Sequence, residues 1–339
     1  MHFENVIIKG IGKYIPERVV NNEFLIQHFK QEKYGSKEIS NLLSKLGREK
    51  RHFADMSDTS LTMAVKAALN TLENAEVSAL DIDAIIFVSD TPEYTVPSNA
   101  VMIHHYIGAD NAGIVFDMNC NCTGMIVAID TVSSILRDNS NINTALVVGS
   151  FHASSVVRWD DAFTYGTFGD ASVGVVLSKT ISSKEKGFIY KDYYTDSNYY
   201  NYSRFPACGN TESLLCTQEK QYRRLEYIPF DAKLFIDRFT ITIRDIFEKF
   251  NISDDDILYY AFSQLSDSAN KEVFSNLGVE PNDKYLFVAT KYGYTGNTSP
   301  LLALSEVWDS LDFKANKGKY IIIISVAVGF SVSTVLYKV

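Results

Sequence analysis

The stretch Gly113–Arg137, GIVFDMNCNCTGMIVAIDTVSSILR, contains the transition that decides the fold. Gly113 to Met118 is mostly apolar and ends at a short polar turn, which predicts a buried strand. From about Thr123 onward, apolar residues recur with a helical period. They form the stripe Ile126, Ile129, Val132 and Leu136. A buried strand that leads directly into an amphipathic helix is typical of α/β proteins.

The same alternation of strand and helix is predicted over most of the chain. The other predicted strands are Asn5–Gly12, Ile82–Ser89, Thr144–Gly149, Ala171–Leu177, Ile257–Phe262 and Tyr285–Val288. The other predicted helices are Ser60–Leu72, Asn99–Ile107, Lys233–Phe250, Ser268–Asn276 and Ser299–Leu311. This order predicts buried, largely parallel sheets that are covered by helices.

Composition narrows the class of protein. With 339 residues the chain is long enough for two domains or one large duplicated unit. A net charge of -9 and a pI of about 5.2 argue against nucleic-acid binding, because phosphate backbones require a basic face. Four cysteines are too few for a disulfide scaffold, and the N-terminal residues lack a signal-peptide pattern. We therefore expect a cytoplasmic protein.

Tyr320–Tyr337, YIIIISVAVGFSVSTVLY, is a run of 18 residues without a charge, a length that makes a membrane helix a candidate. The run is rich in β-branched residues, is divided at Gly329, and alternates small polar with apolar residues in its second half. These features favour two buried strands joined at a tight turn, with no membrane span.

Phe188–Arg224 is rich in tyrosine and turn-forming residues. One interpretation is a segment that runs over the surface or forms a subunit contact, because the apolar ring and polar hydroxyl of tyrosine suit partly exposed surfaces. The other is a lid or wall of a ligand cavity.

Cys122 is the strongest candidate nucleophile, because it lies between the strand and the helix of the opening stretch. A thiol at a helix N-terminus faces the positive end of the helix dipole, which favours the thiolate. The unpaired backbone N–H groups there can stabilise an oxyanion. Cys122 could instead be a small buried residue. A metal site with Cys120 is weakly indicated, since no second pair of ligands follows at a suitable spacing, and we expect none.

The segment Tyr292–Pro300, YGYTGNTSP, places Asn297 just before a predicted helix. Gly293 and Gly296 allow the backbone to turn sharply there. An Asn-Thr-Ser sequence at that position could simply cap the helix. Only its combination with Cys122 favours a role in a site.

Taken together, the motifs resemble the thiolase-fold β-ketoacyl-acyl-carrier-protein synthase III family of ketosynthases. The resemblance covers nearly the whole chain. It rests on Gly10–Pro16, Leu46–Phe53, Val96–Ser98, Asn119–Gly124, Phe168–Asp170, Gly296–Ser299 and Val328–Phe330. It implies a duplicated five-layered α-β-α-β-α fold, with one half over residues 1–180 and the other over 181–339. It also implies a homodimer or a heterodimer with a related ketosynthase, a pantetheine tunnel, an acyl-thioester on the cysteine and no tightly bound cofactor.

The catalytic set of that family is Cys, His and Asn, which Cys122 and Asn297 match. An ungapped count from Leu277-Gly278 puts Ser263 at the histidine position, and no histidine occurs after His152. A hydroxyl is a weaker donor than imidazole and cannot act as a base near neutral pH. The family's tail carries consecutive glycines, whereas this chain has Ala327-Val328-Gly329. A backbone oxyanion donor is still expected at Val328.

The resemblance also bears on the thioester donor, an acyl-CoA or an acyl-carrier protein. The arginine that often holds the CoA nucleotide falls near Ala162, with Trp159 close by, which favours a carrier protein. Because carrier proteins are acidic, docking requires a basic patch. The candidates are Lys45, Arg48, Lys50 and Arg51 in one group and Lys220, Arg223 and Arg224 in another. Either group could equally be a solvated face.

We therefore predict an acyltransferase of the ketosynthase III type in fatty-acid or polyketide-like specialised metabolism. Cys122 would take the acyl group and pass it to a carbon or other small nucleophile. An acceptor such as a β-keto thioester would require no decarboxylation. The alternative is a non-catalytic partner subunit in a heterodimer with a related ketosynthase.

Overall fold

The computed structural model describes residues 2–31, 35–215, 219, 224–228 and 231–339. Its strands are β1 Phe3–Tyr14, β2 Arg18–Asn21, β3 Lys50–Phe53, β4 Ala84–Val88, β5 Ile114–Met118, β6 Thr144–Phe151, β7 Ala171–Ser182, β8 Gly187–Thr195, β9 Ser203–Arg204, β10 Glu226–Tyr227, β11 Ile257–Phe262, β12 Tyr320–Ala327 and β13 Ser331–Lys338. Its helices are α1 Asn22–Gln31, α2 Ser36–Lys45, α3 Ser60–Ala75, α4 Asn99–Ile107, α5 Gly124–Asp138, α6 Ala153–Val156, α7 Ala162–Thr167, α8 Gly209–Leu214, α9 Ala232–Phe250, α10 Asp267–Leu277, α11 Ala289–Tyr292 and α12 Ser299–Val307.

Two sheets form the centre of the molecule. The first has the strand order β1-β7-β6-β4-β5, and the second has the order β11-β12-β13-β8. Buried side chains of α5 and α12 pack between the sheets. Helices α3 and α4 cover the outer face of the first sheet, and α9 and α10 cover that of the second. The result is five layers, α-β-α-β-α. The strands of the first sheet come from residues 3–182 and those of the second from residues 187–338, which supports the proposed division into two halves.

The prediction of largely parallel sheets is wrong. Strands β5, β4 and β6 are parallel, as are β11 and β12, but β1, β7, β13 and β8 pair antiparallel with their neighbours. For β12 and β13 the antiparallel pairing follows from the short turn that joins them, because parallel neighbours require a long crossover connection.

The charge-free run at the C-terminal end forms β12 and β13, as predicted. They pair from Tyr320 with Lys338 to Ala327 with Ser331. Among the described residues, no helix has the length and apolar character needed to cross a membrane.

One strand prediction in the second half is wrong. Tyr285–Val288 is not a strand, because the Val288 N–H donates to the Gln264 side chain at 2.7 Å and not to a neighbouring strand. The tyrosine-rich segment is divided. Its start is β8, which pairs with β13 along the edge of the second sheet, whereas Ser203 and Phe205 farther along line a cavity, as the wall interpretation expects.

Several strands end at the same place, and this positions the site. Asp90 follows β4, the turn with Cys122 follows β5, Ser263 follows β11 and Val328 follows β12. The carboxyl ends of parallel strands are where α/β folds bind ligands.

Candidate active site

Cys122 lies in a 3-10 turn, Asn121–Thr123, between β5 and α5. Asn121 has a φ of 50°, in the left-handed region that asparagine tolerates better than most residues. The Ser325 hydroxyl of β12 donates to the Cys122 carbonyl at 2.8 Å, which ties the turn to the second sheet. The Cys122 side chain is buried, with 8% of the residue exposed.

Val328 begins the turn between β12 and β13. Its backbone N–H forms a hydrogen bond with the Cys122 sulfur. Gly329 and Phe330 complete the turn with φ values of 76° and 50°. The turn therefore presents a backbone donor at the sulfur, where the sequence predicted an oxyanion donor, and that role stays a prediction.

Asn297 lies in the 3-10 turn Gly296–Thr298 at the start of α12. Gly296 has a φ of 55°, and a Cβ there would lie 2.9 Å from the Phe151 ring, so the turn requires glycine. The Asn297 Nδ2 donates to the Ser150 carbonyl at 3.3 Å and to Asp90 Oδ1 at 3.5 Å. Its Oδ1 is buried without a hydrogen-bond partner among the described residues.

Ser263 directly follows β11 and is buried. Its N–H donates to the Ile324 carbonyl at 2.9 Å, and its own carbonyl accepts from Asn270 at 2.9 Å. Within the described part of the chain, its buried Oγ has no hydrogen-bond partner that satisfies ordinary geometry. The backbone of this residue is firmly placed while its hydroxyl is available.

Tyr294 lies between Cys122 and Ser263. Burial raises the pKa of Tyr294 well above its ordinary value, and the charge and hydrogen bond of Cys122 raise that pKa further. The nearby Ser263 hydroxyl lowers it. The phenol therefore stays protonated at neutral pH and can act as a donor next to the sulfur.

Asp90 lies close enough to Cys122 for its negative charge to act on the thiol. Its loop is braced at Asn99, whose side chain donates to the Tyr94 carbonyl at 2.7 Å and to Asp117 at 2.8 Å. Burial raises the pKa of Asp90 to about 6, against the lowering effect of the Asn297 amide.

Cys122, Asp90 and Tyr294 line a common cavity of about 110 Å³. Ser263 and Asn297 lie behind this surface, each with 1% exposed. The rest of the lining is Thr91, Asn119, Asn121, Phe151, Val156, Phe168, Ser203, Phe205, Leu225, Tyr227, Leu265, Val326, Ala327 and Val328. No Lys, Arg or His is among the described residues of this lining.

The prediction that the helix dipole favours a thiolate is wrong for this state of the site. Burial, followed by the negative charge of Asp90, raises the pKa of Cys122 to about 12, against the lowering hydrogen bonds of Tyr294 and Val328. With no cation among the described residues of the lining, desolvation outweighs the dipole, so Cys122 is a thiol at neutral pH.

Comparisons with known proteins identify the family of the chain. Residues 116–197 match the family model for 3-oxoacyl-[acyl-carrier-protein] synthase III, and residues 247–339 match the model for its C-terminal part. A β-ketoacyl-[acyl-carrier-protein] synthase III of Clostridium botulinum strain Okra is 28% identical over 312 residues, which cover 89% of this chain and 90% of that protein. The chain belongs to the 3-oxoacyl-[acyl-carrier-protein] synthase III family.

Two solved structures show the fold. The 3-oxoacyl-[acyl-carrier-protein] synthase III of Aquifex aeolicus has a TM-score of 0.83 at 22% identity, covering 99% of this chain and 100% of that chain. The priming β-ketosynthase of the R1128 polyketide pathway has a TM-score of 0.85 at 21% identity, covering 99% and 96%. The predicted thiolase-like fold is confirmed. The chain is a ketosynthase III-type enzyme of the acyl-transferring, condensing class.

Arg48 and Arg51 were predicted to dock a carrier, and the structure contradicts this. Both are buried, with 2% and 0% exposed. Arg48 donates to four backbone carbonyls, those of Leu46, Thr167, Gln264 and Leu265, at 2.8 to 3.3 Å. Arg51 donates to the carbonyls of Val20 and Gly166 and to the Asn22 side chain. Desolvation lowers the pKa of Arg48 to about 9 and that of Arg51 to about 10. In this ketosynthase, these arginines hold loops together.

The other predicted binding residues lie in different places. Trp159 is 63% exposed, and its carbonyl contacts the His28 ring at 2.7 Å. Arg224 is half-buried and donates to the Ser155 carbonyl. Arg223 and Lys220 lie outside the described residues. A binding role for Trp159 and Arg224 stays a prediction.

A metal site at Cys120 and Cys122 was the weaker alternative. In the described part of the chain, no group of three or more His, Cys, Asp or Glu side chains is placed to hold a metal ion.

Sequence reasoning missed Asp90 and Tyr294. Asp90 follows the buried strand AIIFV, so its position at the carboxyl end of a strand was a usable signal. Tyr294 lies inside the segment that was singled out, but its neighbours are residues distant in the chain, which no local pattern reveals.

Proposed function

We propose that this ketosynthase accepts an acyl group on Cys122 from a thioester donor and passes it to a carbon or other small nucleophile. The observation that carries the proposal is the Cys122 sulfur at a cavity, with the Val328 N–H bonded to it. The biosynthetic setting is fatty-acid or polyketide-like specialised metabolism.

In the first half-reaction the Cys122 sulfur attacks the thioester carbonyl. A new C–S bond forms, the bond to the donor's sulfur breaks, and the donor leaves as a thiol after taking a proton. Negative charge on the carbonyl oxygen requires donors that are already in place, and the N–H groups of Cys122 and Val328 are the candidates. The Tyr294 hydroxyl is a third candidate, because it interacts with the same sulfur.

A neighbouring cavity of about 410 Å³ is our candidate entrance for the thioester arm. It shares Tyr227 and Leu265 with the Cys122 cavity, so the two spaces adjoin at these side chains. Lys45 lies on its lining and is exposed. Of the predicted basic residues, Lys45 is therefore placed to meet an acidic carrier protein.

The test is intact-mass measurement after incubation with a panel of acyl-CoA and acyl-carrier-protein donors. We expect the mass of one acyl group on the wild-type chain and none on Cys122→Ala. Absence of the adduct with every donor, from protein that is folded by circular dichroism, would contradict the proposal.

Condensation is tested separately with Ser263→His. We expect this variant to decarboxylate a malonyl thioester faster than wild type, because imidazole is the stronger donor for the enolate. No gain in the rate of decarboxylation would show that Ser263 does not occupy the histidine position, or that the Tyr294 side chain blocks an imidazole there from the substrate.

A second candidate is the non-catalytic partner subunit. The raised pKa of the Cys122 thiol and the lack of imidazole favour it. Co-purification with a related ketosynthase, together with no turnover by the lone chain, would support this candidate. Robust turnover by the lone chain would exclude it.

A further inference from the structure

Asp90 is the acid in the Cys122 cavity that the proposed function leaves unused. It follows β4, lines the cavity together with Cys122, and accepts a hydrogen bond from Asn297 at 3.5 Å. It is close enough to the sulfur for its negative charge to act on the thiol. A carboxylate in such a place costs stability unless it has partners, so its presence calls for a functional reason.

The other titratable groups among the described residues that line the cavity are neutral at pH 7. They are the Cys122 thiol after β5, the Tyr294 phenol before α12 and the Tyr227 phenol of β10. Burial raises the pKa of each of these three groups. Glu93, on the same loop, and His152, after β6, line a different neighbouring cavity. With its pKa raised to about 6, Asp90 is the group of this cavity that changes protonation near neutral pH.

We propose that Asp90 is a catalytic acid–base residue that carries protons between Cys122, the donor and the acceptor, in place of the absent imidazole. This inference rests on the proposed function. It extends that function by naming the proton carrier and the class of acceptor.

In acylation the Cys122 thiol gives its proton to the Asp90 carboxylate as the sulfur attacks the donor carbonyl. The same proton then passes to the departing donor sulfur, so Asp90 returns to its charged form. In the second half-reaction Asp90 takes a proton from the acceptor. The acceptor carbon or heteroatom bonds to the acyl carbonyl, the C–S bond to Cys122 breaks, and the proton passes to the Cys122 sulfur. No other reactant is required.

The charge of Asp90 also selects among acceptors. A malonyl thioester would place its own carboxylate in a cavity that already holds one, without a cation among the described lining residues. Like charges in a desolvated site repel strongly. An acceptor that is neutral at its reacting end, such as the acidic C–H of a β-keto thioester, meets no such repulsion and requires the base that Asp90 supplies.

The experiment compares wild type, Asp90→Asn and the control Glu93→Gln, which removes an exposed carboxylate from the same loop. Acyl loading of Cys122 is followed by rapid-quench mass spectrometry across pH 5 to 9, an interval of about two units on either side of neutrality. We expect the rate of acyl loading to be about 10²–10⁴-fold lower in Asp90→Asn than in wild type. The pH–rate profiles of wild type and Glu93→Gln should both show a limb near pH 6, which Asp90→Asn should lack.

Alkylation by iodoacetamide separates this role from a structural one. Removing the charge of Asp90 makes the Cys122 thiol more acidic. The pH dependence of alkylation should therefore shift to lower pH in Asp90→Asn, while the rate of acyl transfer falls. A damaged site would lose both reactions. Parallel losses, or loading by Asp90→Asn at the wild-type rate with an unchanged pH profile, would overturn the role of Asp90.

Preloaded wild-type enzyme is then offered a β-keto thioester or a malonyl thioester. We expect acyl transfer to the β-keto thioester without release of carbon dioxide, and slower transfer by Asp90→Asn. Preferential use of the malonyl thioester would overturn the acceptor assignment. If wild type loads no donor at all, the proposed function fails, whereas unaltered loading by Asp90→Asn removes only the present inference.

Discussion

Arg48 and Asp90 are both charged side chains inside the protein, yet their surroundings differ. Arg48 donates to four backbone carbonyls and has no surface of consequence left for a ligand. Asp90 has one side-chain donor, the Asn297 amide at 3.5 Å, and lines a cavity. The difference teaches that burial of a charge does not by itself indicate function. A charge whose hydrogen bonds are supplied by the backbone is structural, and one left facing a cavity is available for chemistry.

The largest effect that would sharpen this comparison is expected from Arg48→Met. The substitution removes the Arg48 donor from the Leu46, Gln264 and Leu265 carbonyls, while the Thr167 carbonyl keeps the Tyr294 N–H. We therefore expect the free energy of unfolding to fall by about 3 kcal/mol or more. Urea denaturation with an unchanged slope would measure it. The control Lys37→Met, on an exposed position of α2, should change stability by less than about 0.5 kcal/mol. Equal losses in the two variants would refute a structural role for Arg48.

Asp90→Asn should act in the opposite direction on stability. The pKa of Asp90 is raised from 3.8 to about 6, so the folded state holds the proton more tightly than the unfolded state. Its contribution to stability is therefore present below about pH 4 and is lost as the pH rises through about 6. We expect Asp90→Asn to match wild type near pH 4 and to be more stable by about 1–3 kcal/mol at pH 8. Chemical denaturation of both proteins at pH 4 and pH 8 tests this prediction. If Asp90→Asn were less stable than wild type at pH 8, the contrast drawn between Asp90 and Arg48 would be wrong.

Tyr294→Phe tests a neutral donor at the same sulfur. Loss of one hydrogen bond to the developing charge should reduce acyl loading by about 10- to 100-fold. Because the phenol stays protonated at neutral pH, the limb near pH 6 should remain in this variant, unlike in Asp90→Asn. A pH profile that loses this limb in Tyr294→Phe would show that Asp90 does not act alone.

The smallest effect concerns an exposed charge. Lys45→Glu reverses a charge on the lining of the neighbouring cavity, so we expect the KM for an acyl-carrier-protein donor to rise several-fold. The kcat should stay constant, and high salt should weaken the effect. The exposed Lys37→Glu serves as the control. A KM unchanged by Lys45→Glu would place carrier docking elsewhere on the surface.

The local sequence pattern predicted most of the helices and strands, because their apolar residues recur with a clear helical or strand period. The helix Asn99–Ile107 was predicted with its observed bounds, and the strand–turn–helix around Cys122 within one or two residues. Strand direction was predicted poorly, since alternation of strands and helices does not specify how β1, β7 and β8 pair. Tyr285–Val288 resembled a strand because it is a short apolar run, but in the fold its Tyr285 hydroxyl accepts from the Asn270 side chain and its Val288 N–H donates to the Gln264 side chain.

The site shows the same division. Position between a strand and a helix made Cys122 a candidate, and Asn297 became one through its place before a helix in combination with Cys122. The lack of any histidine after residue 152 was visible in the chain itself. The basic residues Arg48 and Arg51 were misassigned, because charge alone does not reveal whether a side chain reaches solvent.

By itself, the order of apolar, polar and glycine residues determined an α/β chain with a cysteine where a strand meets a helix, since these are properties of neighbouring residues. Only the tertiary structure decided which groups surround that cysteine. Asp90, Tyr294 and Val328 come from distant segments, and their burial together sets the protonation of the sulfur. Desolvation depends on everything packed around a group, and no stretch of sequence contains that information.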